Sequence, residues 1–250
     1  MSTDRRNETQ LLCDVLGLES LVDEITSKQL LLRGNSGHPS SSPSSSAAPT
    51  PSAILGPFYR ADAPVLPNGS SIVSPSVPWY AVAAPLLARV SGRVLSSSSA
   101  PIPGATVDVW LAGPNGLYEQ QDDQQPDMNL RGRFRTDDEG RYALCCLRPT
   151  AYPIPDDGPA GRLLALLDRH PFRPAHIHFI VSAAGRRTLV TQVFDAEDER
   201  VTGEGQGDAV FAVKRELVVR FRERVRGGEE DGDGPKVRWE LEYDFYLGEE

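Results

Sequence analysis

The sequence predicts a mainly β protein: an antiparallel β-sandwich core preceded by a short α-helical N-terminal segment. Three observations point there. From about residue 53 onward, short runs rich in Val, Leu, Ile and aromatic side chains alternate with clusters of Gly, Pro, Asp and Ser. Few helical patterns of roughly 10–15 residues lie between those runs, which disfavours a parallel α/β sheet. A helical apolar stripe occurs near the start of the chain, where Leu11, Leu12, Val15, Leu18, Leu21, Val22 and Ile25 recur at i, i+3, i+4 and i+7.

The stripe over 8–32 predicts one or two short amphipathic helices, with Gly17 as the break. Residues 35–52, NSGHPSSSPSSSAAPTPS, hold no large apolar side chain that could offset chain entropy, so they read as a disordered linker. The expected division is a helical segment at 1–34, a linker at 35–52 and a β-sandwich catalytic domain at 53–250. The N-terminal zone is expected to be dispensable for chemistry, so that a chain beginning near Pro51 would keep it. Strands are predicted at 88–95, 105–112, 140–147, 175–183, 188–194 and 237–247. RGRFR at 131–135 alternates arginine along a further strand and reads as a solvated face. Helical exceptions are expected at 161–170 and around 208–221.

Composition narrows the function. With 26 Lys and Arg against 35 Asp and Glu, the formal charge is −9, which repels nucleic-acid phosphates and anionic lipid. No run of 18 apolar residues predicts a membrane span, and the opening MSTDRRNETQ lacks the apolar stretch of a secretory signal. Three cysteines, two of them adjacent, form no disulfide framework. A cytoplasmic protein of a reducing compartment is the expectation.

Chemistry concentrates in RPAHIHFIV at 173–181. On a strand, His176 and His178 project from one face, and two neighbouring imidazoles inside an apolar run are costly to bury without a partner. They suit iron, zinc, copper or nickel; the alternative is a half-exposed pair on a sheet face. A zinc hydrolase would add a third histidine, but His38 falls in the linker and His170 precedes Pro171. Asp195 or Glu197 could complete a two-histidine, one-carboxylate triad for Fe(II). Tyr118 and Tyr152, in the loops NGLYEQ and PTAYPIP, could instead offer phenolate oxygens to Fe(III), although a loop tyrosine is ordinarily surface or rim. GEGQGD at 203–208 lacks the strand and helix of a phosphate loop. GGEEDGDG at 227–234 lacks calcium-loop spacing and reads as a solvated turn.

LGPFYRADAP (55–64), the stretch from PGATVDVWLAGPNGLYEQ to GRFRTDDEGRY (103–142), PTAYPIPDDGPAGRLL (149–164), RHPFRPAHIHFIV (169–181) and LVTQVF (189–194) together resemble the intradiol ring-cleavage dioxygenases. The likeness is to the fungal and bacterial catechol and hydroxyquinol 1,2-dioxygenases. CDVLGLESLVDEI (13–25) resembles the last helix of that family's N-terminal dimerisation domain, which is normally longer. The resemblance implies Fe(III) held by Tyr118, Tyr152, His176 and His178. Tyr152 would be the ligand that leaves and takes a substrate proton. Arg173 would stabilise charge developing on the substrate, Gln192 would position the reacting groups, and Ile54 and Pro57 would line the ring pocket. Tyr142, Arg169 and His170 are read as structural. The partners implied are a catecholic substrate and O2, with a homodimer through the N-terminal helices and no nucleic acid. The substrate reading leans toward hydroxyquinol, with catechol also accepted and protocatechuate poor. Residues 195–211 replace a tighter, Tyr-containing stretch of many relatives. Two competing readings are a transthyretin-like binding module, which would need to have lost a ligand, and the Fe(II) oxygenase built on a carboxylate.

Overall fold

A computed structural model describes residue 2 and residues 6–34, 47–202, 207–224 and 236–250, with 31–34 as backbone only. His38, most of the predicted linker (35–46), the first four residues of GEGQGD and all of GGEEDGDG lie outside the described residues. Two helices open the chain, α1 (Glu8–Val15) and α2 (Leu18–Gly34). Asn7 starts α1 by accepting the Gln10 N–H on its side-chain oxygen at 3.2 Å. Gly17, at φ +72°, turns the chain between them.

The predicted strands are present, in two sheets. The first holds β1 (Leu87–Ser96), β4 (Arg141–Leu147), β10 (Arg222–Glu223), β11 (Trp239–Glu242) and β12 (Phe245–Leu247). The second runs in the order β3 (Arg131–Arg135), β2 (Thr106–Trp110), β7 (His176–Ser182), β8 (Leu189–Asp195) and β9 (Val218–Val219). A two-stranded ribbon pairs β5 (Tyr152–Pro153) with β6 (Phe172–Arg173). Helices α3 (Tyr80–Ala83), α4 (Pro159–Leu166) and α5 (Glu199–Thr202) are short.

The sheets are mixed, which corrects the antiparallel expectation. β4 pairs antiparallel with β1, but β11 and β12 run parallel to its two halves, and β9 runs parallel to β8. Strand pattern carries no direction. A parallel pair needs only a long connection, and the entire second sheet separates β1 from β11 and β12 in the chain. The predicted 237–247 strand therefore splits at Tyr243–Asp244, where the chain passes Gly92: Tyr243 N–H donates to Ser91 O, and Asp244 accepts the Arg93 N–H. A Cβ on Gly92 would overlap the Tyr243 carbonyl oxygen.

Strand alternation then places the two faces of β7. Ile177, Phe179 and Val181 enter the core between the sheets, with Val107, Val109, Phe134 and Phe245. His176 and His178 face the other way, into a second buried cluster that contains Trp110, Tyr118, Tyr152, Ile54 and Phe58. Helix α1 belongs to that second cluster, because Leu11 and Val15 are fully buried in it. Glu8 accepts the Ala160 N–H at the start of α4, in space that the bare Cα of Gly158 leaves free. Side chains of the N-terminal zone thus form part of the covering of this cluster. The end of the predicted linker is likewise tied down: Thr50 N–H donates to Tyr246 O and Thr191 to Pro51 O.

Two local readings change. The stretch around 208–221 is not an α-helix but an irregular chain with one 3₁₀ turn at Arg215–Leu217, because the Asp208 carboxylate captures the N–H groups of Val210 and Ala212. RGRFR is a solvated face only at its far end, since Arg135 is exposed while Arg131 is only 2 % exposed and ion-paired to Glu119. No helix of the described residues is long and apolar enough to cross a membrane.

The Gly92 crossing makes a direct test. Gly92→Ala forces a methyl into backbone and should cost at least about 2 kcal/mol of unfolding free energy, read from urea melts; unchanged stability would contradict the crossing as described.

Candidate metal centre

Four donor atoms from three segments meet on the buried face of β7. His176 Nε2 lies 3.1 Å from His178 Nε2, which lies 3.1 Å from the Tyr118 hydroxyl. The Tyr118 and Tyr152 hydroxyls are 3.0 Å apart, and Tyr152 closes the ring at 3.5 Å from His176 Nε2. All four side chains are nearly fully buried. Burial pushes both imidazoles well below their ordinary pKa, with the Arg173 charge adding to it, so they stay neutral. It also pushes the Tyr118 phenol well above its ordinary value and raises that of Tyr152, against which Arg173 acts.

Each donor is aimed by its surroundings. His176 Nδ1 donates to Pro174 O at 2.6 Å, which leaves Nε2 as the lone pair. His178 lies flat on Trp110, and Gly56, at φ +78°, brings backbone close to its Cε1 where a Cβ would be 3.2 Å away. Tyr118 opens a 3₁₀ turn whose Gln121 side chain accepts the Tyr118 N–H at 3.0 Å, and its ring stacks on Phe58. Tyr152 is held by the β5–β6 ribbon, opposite Arg173.

The donor set fits a metal ion. Two imidazole nitrogens and two phenol oxygens from three segments converge on one point, while His178 Nδ1 on the outer side has no hydrogen-bond partner among the described residues. A ring of this size has its centre about 2 Å from each corner, an ordinary metal–ligand bond length. Imidazole with phenolate suits iron. The carboxylate alternative is not assembled: Asp195 and Glu197 both accept from Arg148, at 2.5 and 2.6 Å. Among the described residues no group of three His, Cys, Asp or Glu is placed to hold a metal.

The remaining expected residues gather at one side. Arg173 Nη1 is 3.0 Å from His176 Nε2, and its Nη2 donates to Gln192 Oε1 at 2.7 Å. Gln192 Nε2 donates to Ile54 O at 2.7 Å, so the strand, the arginine and the 53–58 segment are locked together. Pro57 is half-buried in that segment. The structural readings also hold: Tyr142 donates to Tyr243 O, Arg169 to the carbonyls of Val15 and Ala209, and His170 Nδ1 accepts the Phe172 N–H.

Three acidic residues escaped the sequence reading. Asp208 grips Arg173 with both oxygens, at 3.2 and 3.3 Å. Burial works against the Arg173 charge, but Asp208 and the two tyrosines outweigh it and raise its pKa. Glu119, next to Tyr118, accepts from Arg131 and Arg60, both at 2.7 Å. Asp14 on α1 is 1 % exposed, with the Glu19 carboxyl as its polar neighbour. Burial, then the neighbouring Glu19, pushes it up to about 9, with Arg173 within electrostatic reach. Only contacts across the fold bury these carboxylates, and none of their own segments marks them as buried.

Asp14 carries a pH signature. Folded Asp14 keeps its proton up to about pH 9, whereas an exposed carboxyl loses it near the ordinary 3.8. Between those values the unfolded chain binds fewer protons, so stability falls as pH rises. Asp14→Asn should therefore raise the melting temperature by on the order of 5 °C at pH 8 and hardly at all near pH 4. An equal shift at both pH values would contradict a neutral, buried Asp14.

Comparison with known proteins places the whole chain in one family. Residues 82–249 match the family described as "Dioxygenase", and residues 1–30 match "Catechol dioxygenase N terminus". The chain is 46 % identical to a catechol 1,2-dioxygenase of Candida albicans, over 100 % of this chain and 74 % of that protein. It is 40 % identical to a hydroxyquinol 1,2-dioxygenase of a Rhizobium species, over 97 % and 74 %. A solved hydroxyquinol 1,2-dioxygenase from Pseudomonas putida superposes with a TM-score of 0.78 at 34 % identity, covering 100 % of this chain and 78 % of that one. Membership at this level implies a non-haem iron cofactor and dioxygenase chemistry on a catecholic ring. The chain belongs to the intradiol ring-cleavage dioxygenases.

Proposed function

We propose that the chain opens 1,2,4-trihydroxybenzene, and also catechol, between adjacent hydroxyls with O2, giving maleylacetate-type and cis,cis-muconate-type products. The observation that carries this reading is the closed ring of His176, His178, Tyr118 and Tyr152 donors beside Arg173. These four residues would hold Fe(III). The ion supplies Lewis acidity there, lowering the pKa of the substrate hydroxyls and orienting the ring.

The chain's own groups do the rest. The Tyr152 oxygen accepts a proton from the substrate diol, presented by the short strand Tyr152–Pro153. The Arg173 guanidinium, held charged by Asp208, stabilises negative charge that develops on the substrate in a site closed to water. Gln192 fixes the register between Arg173 and the Ile54 backbone. Ile54 and Pro57, with Leu11 and Val15 from α1, form the apolar wall suited to a flat ring.

The preference for a third hydroxyl rests on Asp14. A buried, protonated carboxyl whose polar neighbour is Glu19 offers the hydrogen bond that an extra hydroxyl needs. A homodimer would cover Leu18, Leu21, Val22 and Ile25, which α2 leaves exposed. A reducing, cytoplasmic setting suits the three free thiols.

The test is product identity. Iron-loaded protein is incubated with 1,2,4-trihydroxybenzene, catechol or protocatechuate under labelled O2, and products are weighed by mass spectrometry. The expected result is a diacid carrying both labelled oxygens from the first two substrates and little from protocatechuate. A semialdehyde, from cleavage beside the hydroxyls, would exclude the mechanism. Asp14→Leu should lower the trihydroxybenzene-to-catechol ratio of kcat/KM on the order of 10-fold, and an unchanged ratio would remove Asp14 from substrate selection.

A further inference from the structure

Trp110 closes β2 with its ring parallel to the His178 imidazole, centroids 4.7 Å apart and planes 9° apart. Tyr59 meets the same indole, with centroids 5.0 Å apart. An unbroken aromatic path thus runs from a site histidine to a half-exposed phenol. Its two members differ in how they handle a proton. The Trp110 indole is 1 % exposed and its Nε1–H has no hydrogen-bond partner. The Tyr59 hydroxyl stands beside the ion pair of Asp108 and Arg133, in which Arg133 Nε donates to the Asp108 carboxylate at 3.0 Å.

An orphaned buried N–H is costly and calls for a reason. Phenylalanine would fill apolar space without that cost, so packing alone does not account for an indole here. Redox chemistry does. An indole that has lost an electron normally sheds its Nε1 proton and settles at a lower potential. With no acceptor, it stays a radical cation and remains able to oxidise a phenol. A phenol gives up its electron readily only when a base takes its proton, and the neighbouring Asp108 carboxylate is the base within reach. Burial raises the Asp108 pKa, which strengthens it as an acceptor.

We propose that Trp110 and Tyr59 form a relay that carries oxidising equivalents from the metal centre to the surface, giving the protein a protective, peroxidase-like side activity. The proposal rests on His178 being an iron ligand. The oxidant is hydrogen peroxide, which takes two electrons and two protons to become two waters. The reductant is a catechol in solution, which gives two electrons and two protons and becomes an o-quinone. Each electron moves in three steps. Trp110 reduces the oxidised centre; Tyr59 reduces Trp110 while its proton passes to Asp108; catechol reduces the Tyr59 radical, and Asp108 returns the proton. Two passes consume one peroxide and one catechol, and the catechol protons balance those taken up by the peroxide.

Iron content and visible colour are measured first on each preparation. Wild type and Tyr59→Phe, which keeps the ring stack, are then mixed with peroxide in the absence of catechol, frozen within milliseconds and examined by electron paramagnetic resonance. The wild type should show a tyrosyl radical that falls several-fold in Tyr59→Phe and persists in Tyr246→Phe. Peptide mass spectrometry should show oxygen added at Trp110 rising in Tyr59→Phe, while iron, colour and turnover of the untreated variant stay at wild-type levels. Trp110→Phe that retains iron should lose the Tyr59 radical. An equal radical yield in iron-loaded wild type and Tyr59→Phe would overturn the relay. Wild type that binds no iron and has no colour would overturn the ligand assignment, and the relay with it.

Discussion

Two imidazole nitrogens and two phenol oxygens face one another at 3.0 to 3.5 Å inside an apolar shell, and the surrounding structure is organised to hold them there. Buried polar atoms without good partners are expensive, so each must be forced into place by something stronger than its own preference. Strand pairing does it for the histidines, because β7 sits between β2 and β8 and cannot rotate its faces. The ribbon of β5 and β6 does it for Tyr152, and the 3₁₀ turn with its Gln121 side chain does it for Tyr118. A cation held at the centre, as proposed, would convert this assembly from a cost into a gain.

Charge around the ring is arranged in the same spirit. Arg173 is buried and would be destabilising alone, but Asp208 holds it with both oxygens and takes two further backbone N–H groups. Arg131 and Glu119 form a second buried pair behind Tyr118, with Arg60 on the other Glu119 oxygen. Cationic groups thus stand on two sides of the pair of phenols. Helix α1 completes the shell from the far N-terminus. Its Leu11 and Val15 exclude water, its Glu8 caps α4 just beyond the Tyr152 loop, and its Asp14 is a polar point on an apolar wall.

Much of this was legible in the residues. The period-two pattern of HIHFIVS marks a strand, and the same alternation puts both histidines on one face and Ile177, Phe179 and Val181 on the other. The tyrosines could be named only through family likeness, since nothing in NGLYEQ or PTAYPIP by itself distinguishes a ligand from a rim residue. Strand direction was not legible, because parallel and antiparallel strands carry the same apolar pattern, and β1 finds its parallel partners after a long excursion. Asp208, Asp14 and Glu119 were missed for a related reason. Each looks like a surface carboxylate in its own segment and becomes buried only through contacts distant in sequence, as Arg131 does in a strand that reads as solvated.

The most direct test of the four-donor centre is resonance Raman spectroscopy of the iron-loaded protein, excited within its visible absorption. Two iron-bound phenolates in different surroundings should give two sets of enhanced tyrosinate ring modes, and Tyr118→Phe and Tyr152→Phe should each remove one set. A spectrum with no tyrosinate modes, or one left unchanged by both substitutions, would contradict the assignment.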